Sequence, residues 1–269
     1  MRWNYATDID YSKIKKDKVE NNEFLFSLIT IASFIEITSD VYAKHLSEYF
    51  SDNQEAVEWL QHKWEKEEVQ HGKSLKKYVN IVWGDFDWER SYQLFLKDYL
   101  PLCGGEKYQP TKAKEMLARM VVETGTSTFY KSIEAYLNEL DEPVLSEIAH
   151  NIYKDELEHY RYFDKFFKFY NENEKNKKSD IIKVIYSRLR EANDEDTYLA
   201  FNAIFKIRNG KKCHRVDYEE FKKTIHGFAK KYYPYNMSIR MLLHPISLNK
   251  MLEKTMVPTI QAAIKILGI

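Results

Sequence analysis

Hydrophobic residues recur at intervals of three and four along four long stretches of the chain, near 21–50, 53–82, 111–139 and 143–170. This spacing gathers the apolar side chains on one face of an α-helix, so it predicts four long amphipathic helices. The alternation of apolar and polar residues that is typical of strands is absent almost everywhere. We therefore predict an all-α protein whose main part is a four-helix bundle.

Turn and capping residues indicate where the long helices begin and where the third is disturbed. The pair Asp52-Asn53 supplies an N-cap signal for the second helix. Asp141 is suited to cap the fourth, with Pro143 in its first turn. The segment from Thr124 to Thr128 contains three threonines and a glycine, which are poor helix formers. We expect a local widening or distortion of the third helix there.

Shorter helical patterns lie between and after the long ones. The connection over 84–110 contains one, near 88–100, and closes with Gly104-Gly105 and Pro110. A polar linker over 171–178 follows the fourth long helix. Further helices are predicted near 180–192, 195–208, 216–232 and 247–266.

The chain is expected to divide into three parts. These are an N-terminal arm over 1–20, the helical bundle over 21–170 and a helical extension over 171–269 that packs on the bundle. A length of 269 residues suffices for one enlarged domain with such an extension.

The charge of the chain is balanced overall but unevenly distributed. Lys and Arg number 41, as do Asp and Glu, so we expect no nucleic-acid partner. From Ser179 onward there are 16 basic and nine acidic residues, which suits either an acidic partner or an ordinary solvated surface. Two cysteines without metal-binding spacing fit a reduced, cytoplasmic location. We expect no signal peptide and no membrane span, because no apolar run approaches about 20 residues.

Two Glu-x-x-His motifs mark the second and fourth long helices. Glu68 is followed by His71, and Glu156 by His159. Residues three positions apart share one face of a helix, so both members of each motif can bind one metal ion. A single motif of this kind often arises by chance, whereas two on separate helices are a more specific signal.

The other two long helices each carry one glutamate, Glu36 and Glu123, in the inward apolar face. A buried carboxylate needs a cation or a proton to compensate its charge. Buried salt bridges are one alternative, but the four inward faces contain no Lys or Arg. Four carboxylates and two neutral imidazoles suit two iron or manganese ions better than calcium. We therefore predict a dimetal site of the kind that four-helix bundles hold.

The layout resembles the ferritin-like di-iron carboxylate superfamily. Within it, the segment from Trp64 to Gly72 resembles the W-x-x-E-E-x-x-H-G motif of soluble acyl-carrier-protein desaturases. The segment from Asp155 to His159 resembles their D-E-x-x-H motif. The likeness covers residues 21–170, and it implies a ferritin-like four-helix bundle with additional C-terminal helices.

The resemblance also implies an arrangement of the six ligands, in which each iron has its own carboxylate and histidine and two further carboxylates bridge the pair. The assignments are Glu36 and His71 for one iron, Glu123 and His159 for the other, and Glu68 and Glu156 for the bridges.

Two further residues receive roles from the resemblance. Thr126 matches a threonine beside the dioxygen site that relays protons, although Ser127 lies nearer the centre of the inward face and is an alternative. Asp155 matches a carboxylate that orients a ligand histidine, here His71.

The activity implied by the resemblance is that of an oxidoreductase with two iron ions and dioxygen, which desaturates or hydroxylates an acyl chain or a similar unactivated C–H substrate. Manganese is an alternative metal. A ferredoxin-like donor would supply electrons, the substrate would be either carried by an acidic acyl carrier protein or a free small molecule, and a homodimer is expected. Two other functions stay open: an oxygenase of a small-molecule pathway that oxidises nitrogen or carbon, and a non-catalytic ferritin-like protein that stores or senses metal.

Overall fold

The described part of the protein is built from helices. A computed structural model describes residues 1–103, 108–191 and 195–267, and no strand occurs within these ranges. This confirms the predicted all-α class. The α-helices, in chain order, are α1 (Lys16–Val19), α2 (Glu23–Ile37), α3 (Ser39–Tyr49), α4 (Gln54–Trp59), α5 (Glu65–Val82), α6 (Trp88–Cys103), α7 (Lys112–Leu140), α8 (Pro143–Glu174), α9 (Lys178–Glu191), α10 (Glu195–Asn209), α11 (Arg215–Tyr232), α12 (Tyr235–Leu243) and α13 (Lys250–Leu267).

The long helices bury the faces that the hydrophobic periodicity predicts. Each predicted inward position is buried, including those held by Glu or His. The positions are Leu25, Ile29, Ala32, Glu36, Ser39, Ala43, Leu46 and Phe50; Leu60, Trp64, Glu68, His71, Leu75, Tyr78 and Val82; Met116, Met120, Glu123, Ser127, Tyr130 and Leu137; and Leu145, Ile148, Ile152, Glu156, His159, Phe163, Phe166 and Tyr170. Burying one large apolar side chain contributes about 1.5–3 kcal/mol, so these faces drive the helices to pack.

The first long helix is interrupted at Thr38, where a continuous helix is predicted. The Thr38 hydroxyl donates to the carbonyl of Phe34 (2.7 Å), and its backbone N–H lies within reach of the carbonyls of Phe34 and Ile35. Side-chain bonding to the preceding turn competes with the regular backbone pattern and bends helices. The prediction of one helix over 21–50 is therefore wrong at this break, after which α3 begins at Ser39.

A π-helical turn, Leu60–Trp64, joins α4 to α5. The N–H of Glu65 donates to the carbonyl of Leu60, five residues earlier. In an α-helix, it would donate to the carbonyl four residues earlier. The extra residue widens the helix, and such turns are frequent at functional sites. The predicted helix over 53–82 is thus one helical path with a widened turn shortly before Glu68.

The distortion that the sequence predicts in the third long helix does not occur. α7 is α-helical throughout. The hydroxyl of Thr124 donates to the carbonyl of Met120 (2.8 Å), and that of Thr128 to the carbonyl of Thr124 (2.7 Å). Because these hydroxyls are satisfied inside the helix, the threonines follow the regular path despite their low helix propensity.

One helix is capped as predicted and another is not. The side-chain oxygen of Asn53 accepts a hydrogen bond from the N–H of Ala56 (3.1 Å) and caps α4. At α8 the carboxylate of Glu142 accepts hydrogen bonds from two N–H groups of the first turn (3.1 Å each). Asp141, the predicted cap, has a φ of 60°, and its carboxylate pairs with Lys15 (2.7 Å). The prediction for Asp141 is therefore wrong by one residue.

The shorter helices confirm most of the remaining pattern. α6 matches the helix expected near 88–100, and α9, α10, α11 and α13 match the four expected after the linker. α8 extends to Glu174, so the linker is shorter than the predicted 171–178. α12 was not predicted, because a proline precedes it and another follows it. Gly104-Gly105 and residue 192 lie outside the described residues.

Internal contacts divide the chain into two compact units. Within unit 1, α2 packs along α5, and α10 packs on α2 and α6. Within unit 2, α12 packs on α13. Unit 1 comprises Met1–Lys107, Glu134–Asn151 and Asn193–Gly227, and unit 2 comprises Tyr108–Ile133, Ile152–Ala192 and Phe228–Ile269.

Inside unit 1, α2 and α5 approach each other closely at Gly72. A Cβ atom on Gly72 would lie 2.4 Å from Cγ1 of Ile37, 2.5 Å from its backbone nitrogen and 3.0 Å from the carbonyl of Ser33. Only glycine fits these distances without a shift of the backbone. Ile37 follows Glu36, and Gly72 follows His71, so the close contact fixes these two residues against each other.

The stretch Glu23–Tyr49 satisfies a length and composition test for a membrane span, with a mean hydropathy of 1.6 over 18 residues. The expectation that no apolar run approaches this length is therefore wrong. Of that window, 67% is buried inside the protein, and core helices pass the same test. The absence of a membrane span stays a prediction.

Candidate metal centre

Three buried side chains from α2 and α5 converge in unit 1: Glu36, Glu68 and His71. One ligand atom from each lies within 4.8 Å of those of the other two. His71 Nδ1 is 3.8 Å from Glu36 Oε2, which is too long for a hydrogen bond. Two ligands bound to one metal at about 2.1 Å, with angles of about 90–120°, lie roughly 3.0–3.6 Å apart. We call these three residues the first triad, and their spacing is close to that of a metal site.

A second triad has the same composition and lies in unit 2. Glu123 comes from α7, and Glu156 and His159 come from α8; all three are buried. Their ligand atoms also lie within 4.8 Å of one another. His159 Nδ1 is 3.7 Å from Glu123 Oε2 and 3.6 Å from Glu156 Oε2. The same nitrogen of each histidine thus faces carboxylates at nearly the same distances in both triads.

The second triad concentrates negative charge where water is excluded. The pKa of Glu123 is raised to about 8, first by burial and next by the charge of Glu156, while His159 acts in the opposite direction. A carboxyl group with this pKa holds a proton near neutral pH unless a cation takes its place. Among the residues whose burial is described, no Lys or Arg is buried. A bound metal ion would supply the positive charge that this cluster favours.

The donor atoms of the two triads restrict the choice of metal. Each triad offers two carboxylates and one imidazole, which suits iron, manganese or zinc better than calcium or magnesium. The residues present therefore fit the metals expected from the sequence.

Thr126 lies beside the second triad. Its hydroxyl donates to Glu156 Oε2 (2.8 Å), and carbonyls of the preceding turn lie within 3.3–3.4 Å of the same hydroxyl oxygen. The alternative residue, Ser127, is buried and places its hydroxyl 3.2 Å from the carbonyl of Thr124 and 3.8 Å from the sulfur of Met241. The structure therefore brings Thr126 into contact with the triad through its hydroxyl.

Asp155 is buried in unit 2, next to the predicted ligand Glu156. Its predicted role, orientation of His71, stays a prediction. Glu67 is buried to the same extent in unit 1 and precedes Glu68 as Asp155 precedes Glu156. Glu67 was not among the predicted site residues, although the repeated pattern of an acidic residue before Glu-x-x-His was a signal that could have identified it.

The N-terminal arm contributes an unexpected contact. Trp3 is buried, and its ring stacks on the imidazole of His71 with centroids 6.3 Å apart and planes inclined by 12°. The side chain of Gln70 donates a hydrogen bond to the backbone carbonyl of Trp3 (3.1 Å) and fixes this position. No periodicity in residues 1–20 predicts such a contact, since it depends on the path of an irregular segment.

Comparison with known proteins identifies no relative of this chain. No protein-family model, no curated protein and no solved structure matches the chain. The fold and the two triads define it as an all-α protein with buried carboxylate and histidine clusters that could bind metal. A ferritin-like bundle and a di-iron activity stay predictions from the resemblance of the sequence motifs.

Proposed function

We propose that the protein is a di-iron oxidoreductase that uses dioxygen to oxidise an unactivated C–H bond, within a ferritin-like four-helix bundle. The two triads each supply one terminal carboxylate and one histidine, from Glu36 with His71 and from Glu123 with His159. Glu68 and Glu156 are proposed to serve both ions, as the motif resemblance implies.

The observation that carries this proposal is the repetition of one buried ligand set in both compact units. Each set combines a glutamate from one helix with a Glu-x-x-His pair from another, and the histidine nitrogens lie 3.8 Å and 3.7 Å from the lone glutamates. A single buried cluster would equally suit one structural metal ion. Two clusters of the same composition support a metal pair of the kind that four-helix bundles hold.

Bound iron would supply electrons for the reduction of dioxygen, which amino-acid side chains alone do not provide. The chain's own residues keep the site buried, hold the ligand atoms near one another and place one hydroxyl, that of Thr126, on a ligand carboxylate. A ferredoxin-like donor is the proposed source of electrons. Manganese is the alternative metal to iron. The proposal also includes a cytoplasmic location and a homodimer.

Anaerobic titration with Fe²⁺ tests the proposal directly. We expect the full-length protein to bind two iron ions per chain and, after oxygen is admitted, to consume dioxygen at a rate that free Fe²⁺ at the same concentration does not reach. A storage protein would instead accumulate many iron ions per chain when iron and oxygen are supplied in excess. Binding of two irons without any reaction with oxygen would contradict the enzymatic proposal.

Replacing Thr126 by valine should leave iron content unchanged and raise the hydrogen peroxide released per oxygen consumed. Valine keeps the shape of the side chain and removes the hydroxyl that bonds Glu156. Loss of one hydrogen bond corresponds to roughly a two- to tenfold change in the ratio of substrate oxidation to hydrogen peroxide release. Thr124→Val is the matched control, since its hydroxyl bonds the carbonyl of Met120. Equal peroxide release by both variants would show that the Thr126 hydroxyl has no role in the reaction beyond its place in the helix.

A further inference from the structure

The N-terminal arm, residues 1–20, follows a defined path along α5 within unit 1. The ammonium group of Lys77 on α5 lies 4.1 Å from the centre of the Tyr11 ring, which is a cation–π contact. The indole N–H of Trp83, the residue that follows α5, donates to the backbone carbonyl of Glu20 (2.9 Å). Although the arm is largely irregular, these contacts define its position against α5.

Trp3 is the residue through which the arm contacts the first triad. It is 6% exposed, and the plane of its indole is inclined by 12° to that of the His71 imidazole, with centroids 6.3 Å apart. Nearly parallel, offset rings are a favourable arrangement for an aromatic pair. The side chain of Gln70, which precedes His71 on α5, donates to the backbone carbonyl of Trp3 (3.1 Å). Neighbouring residues of α5 therefore carry the predicted ligand and the group that holds the indole beside it.

The plane of the imidazole matters for metal binding. A histidine binds a metal ion through a nitrogen lone pair that lies in the plane of its ring, so rotation of the ring turns the lone pair away from an ion held by the other ligands. Nδ1 of His71 is 3.8 Å from Oε2 of Glu36, so the imidazole directs this nitrogen into the first triad. Groups that orient a ligand histidine typically contribute about 10- to 100-fold to metal affinity.

We propose that Trp3 is a positioning residue for His71, whose imidazole it keeps directed at the metal ion of the first triad; this role rests on the proposed function, which assigns a metal ion to that triad. The arm holds the indole nearly parallel to the imidazole, so Trp3 acts on the metal ion through the ligand ring. The indole also covers the imidazole with an apolar group, and apolar surroundings limit the access of water to a metal site. A residue that only filled space would contribute to the stability of the fold and would not change the geometry of a bound ion.

Titration of the metal-free, full-length protein with Co²⁺ tests this inference without dioxygen or a substrate, because the visible absorption of Co²⁺ depends on the geometry of its ligands. Trp3→Leu removes the ring and keeps an apolar side chain. We expect this variant to bind one of the two ions about tenfold more weakly or worse, with an altered absorption spectrum. Trp3→Phe, which keeps a flat ring, should restore most of the affinity and the spectrum.

Two further variants separate the positioning of His71 from the general loss of a buried side chain. Trp59→Leu is the matched control, since Trp59 is also 6% exposed and belongs to neither triad, and it should bind Co²⁺ as the unaltered protein does. Gln70→Met removes the hydrogen bond to the arm and should weaken binding by about two- to tenfold. If Trp3→Leu fails to fold, Gln70→Met and Trp3→Phe apply the same test. Unchanged affinity and spectrum in the Trp3 and Gln70 variants, or an equal loss in Trp59→Leu, would overturn the inference.

The Co²⁺ titration and the iron experiment can fail independently of each other. If Trp3→Leu binds metal as the unaltered protein does, while the iron-loaded protein consumes dioxygen, Trp3 has no positioning role and the proposed function is still supported. If Trp3→Leu loses metal affinity, while the iron-loaded unaltered protein does not react with dioxygen, the positioning role is supported and the oxidoreductase is not. A protein that binds neither Co²⁺ nor Fe²⁺ would contradict both.

Discussion

Replacing Glu68 or Glu156 by alanine is expected to abolish binding of the metal pair. Each is buried within a triad, and each is proposed to serve both ions, so one substitution removes two metal bonds. Loss of a group that merely supports a ligand lowers metal affinity by about 10- to 100-fold, so loss of a ligand should exceed about 100-fold. Iron bound per chain after anaerobic loading and gel filtration is the measurement.

Neighbouring glutamates provide the controls for this experiment. Glu65→Ala on α5 and Glu158→Ala on α8 remove carboxylates that are not part of either triad, and both variants should bind iron normally. Burial raises the pKa of Glu123 most, and the charge of Glu156 raises it further. Because removal of Glu156 lessens that repulsion, the metal-free Glu156 variant should stay helical by circular dichroism. Should an alanine variant unfold, the isosteric Glu68→Gln and Glu156→Gln changes apply the same test. Normal iron content in the Glu68 and Glu156 variants would show that the bridging roles are misassigned.

Gly72→Ala is expected to destabilise the protein and to weaken metal binding together. The added Cβ would lie 2.4–2.5 Å from two atoms of Ile37, one of them in the backbone, so α2 has to move away from α5. Overpacking of this kind costs about 1–3 kcal/mol, occasionally more. Because Ile37 follows Glu36, the shift also separates Glu36 from His71. Urea unfolding of the metal-free protein and iron titration measure the two effects.

Gly125→Ala is the matched control for this substitution. Gly125 also lies inside a long helix, but a Cβ there would meet nothing within 4 Å. Replacement of glycine by alanine in a helix interior stabilises it by up to about 1 kcal/mol. Opposite changes in stability for the two variants are therefore expected. A stabilising effect at both positions would show that α2 and α5 are not in close contact.

The helices and their buried faces could be predicted because they follow from a repeating pattern. A period near 3.6 residues is a property of each segment by itself, and the predicted inward positions are buried in all four long helices. The six predicted ligand residues each continue such an apolar face, and the two Glu-x-x-His motifs distinguished them from other polar residues. The periodicity alone therefore indicates that a Glu or His in such a face is buried.

The departures arise where one local interaction decides between similar backbone paths. At Thr38 a hydroxyl bond to the preceding turn breaks the helix, whereas the hydroxyl bonds of Thr124 and Thr128 leave α7 intact. The π-helical turn Leu60–Trp64 adds one residue between two helical segments of ordinary composition. Helix propensities are small and do not distinguish these outcomes.

Contacts between distant parts of the chain were the least predictable. The stacking of Trp3 on His71 joins an irregular arm to a helix, and α12 lies between two prolines that favour a helix-free stretch. The cap on α8 is Glu142 and not Asp141, whose carboxylate pairs with Lys15 of the N-terminal arm. Each of these depends on tertiary contacts that single-sequence patterns do not record.

Unit 1 is built from separate stretches of the chain, and this affects how the protein folds while it is being synthesised. α2 and α5 can pair as soon as both have left the ribosome, because contacts between nearby segments form quickly. α10, which also packs on α2, is made more than 100 residues after α5. Protein synthesis proceeds at about 5–20 residues per second, so α10 emerges on the order of ten seconds after α5. Until then, the side of α2 that packs against α10 stays exposed. During that interval the nascent chain exposes an apolar surface. We therefore expect aggregation, and binding by a chaperone, to occur at this stage of synthesis.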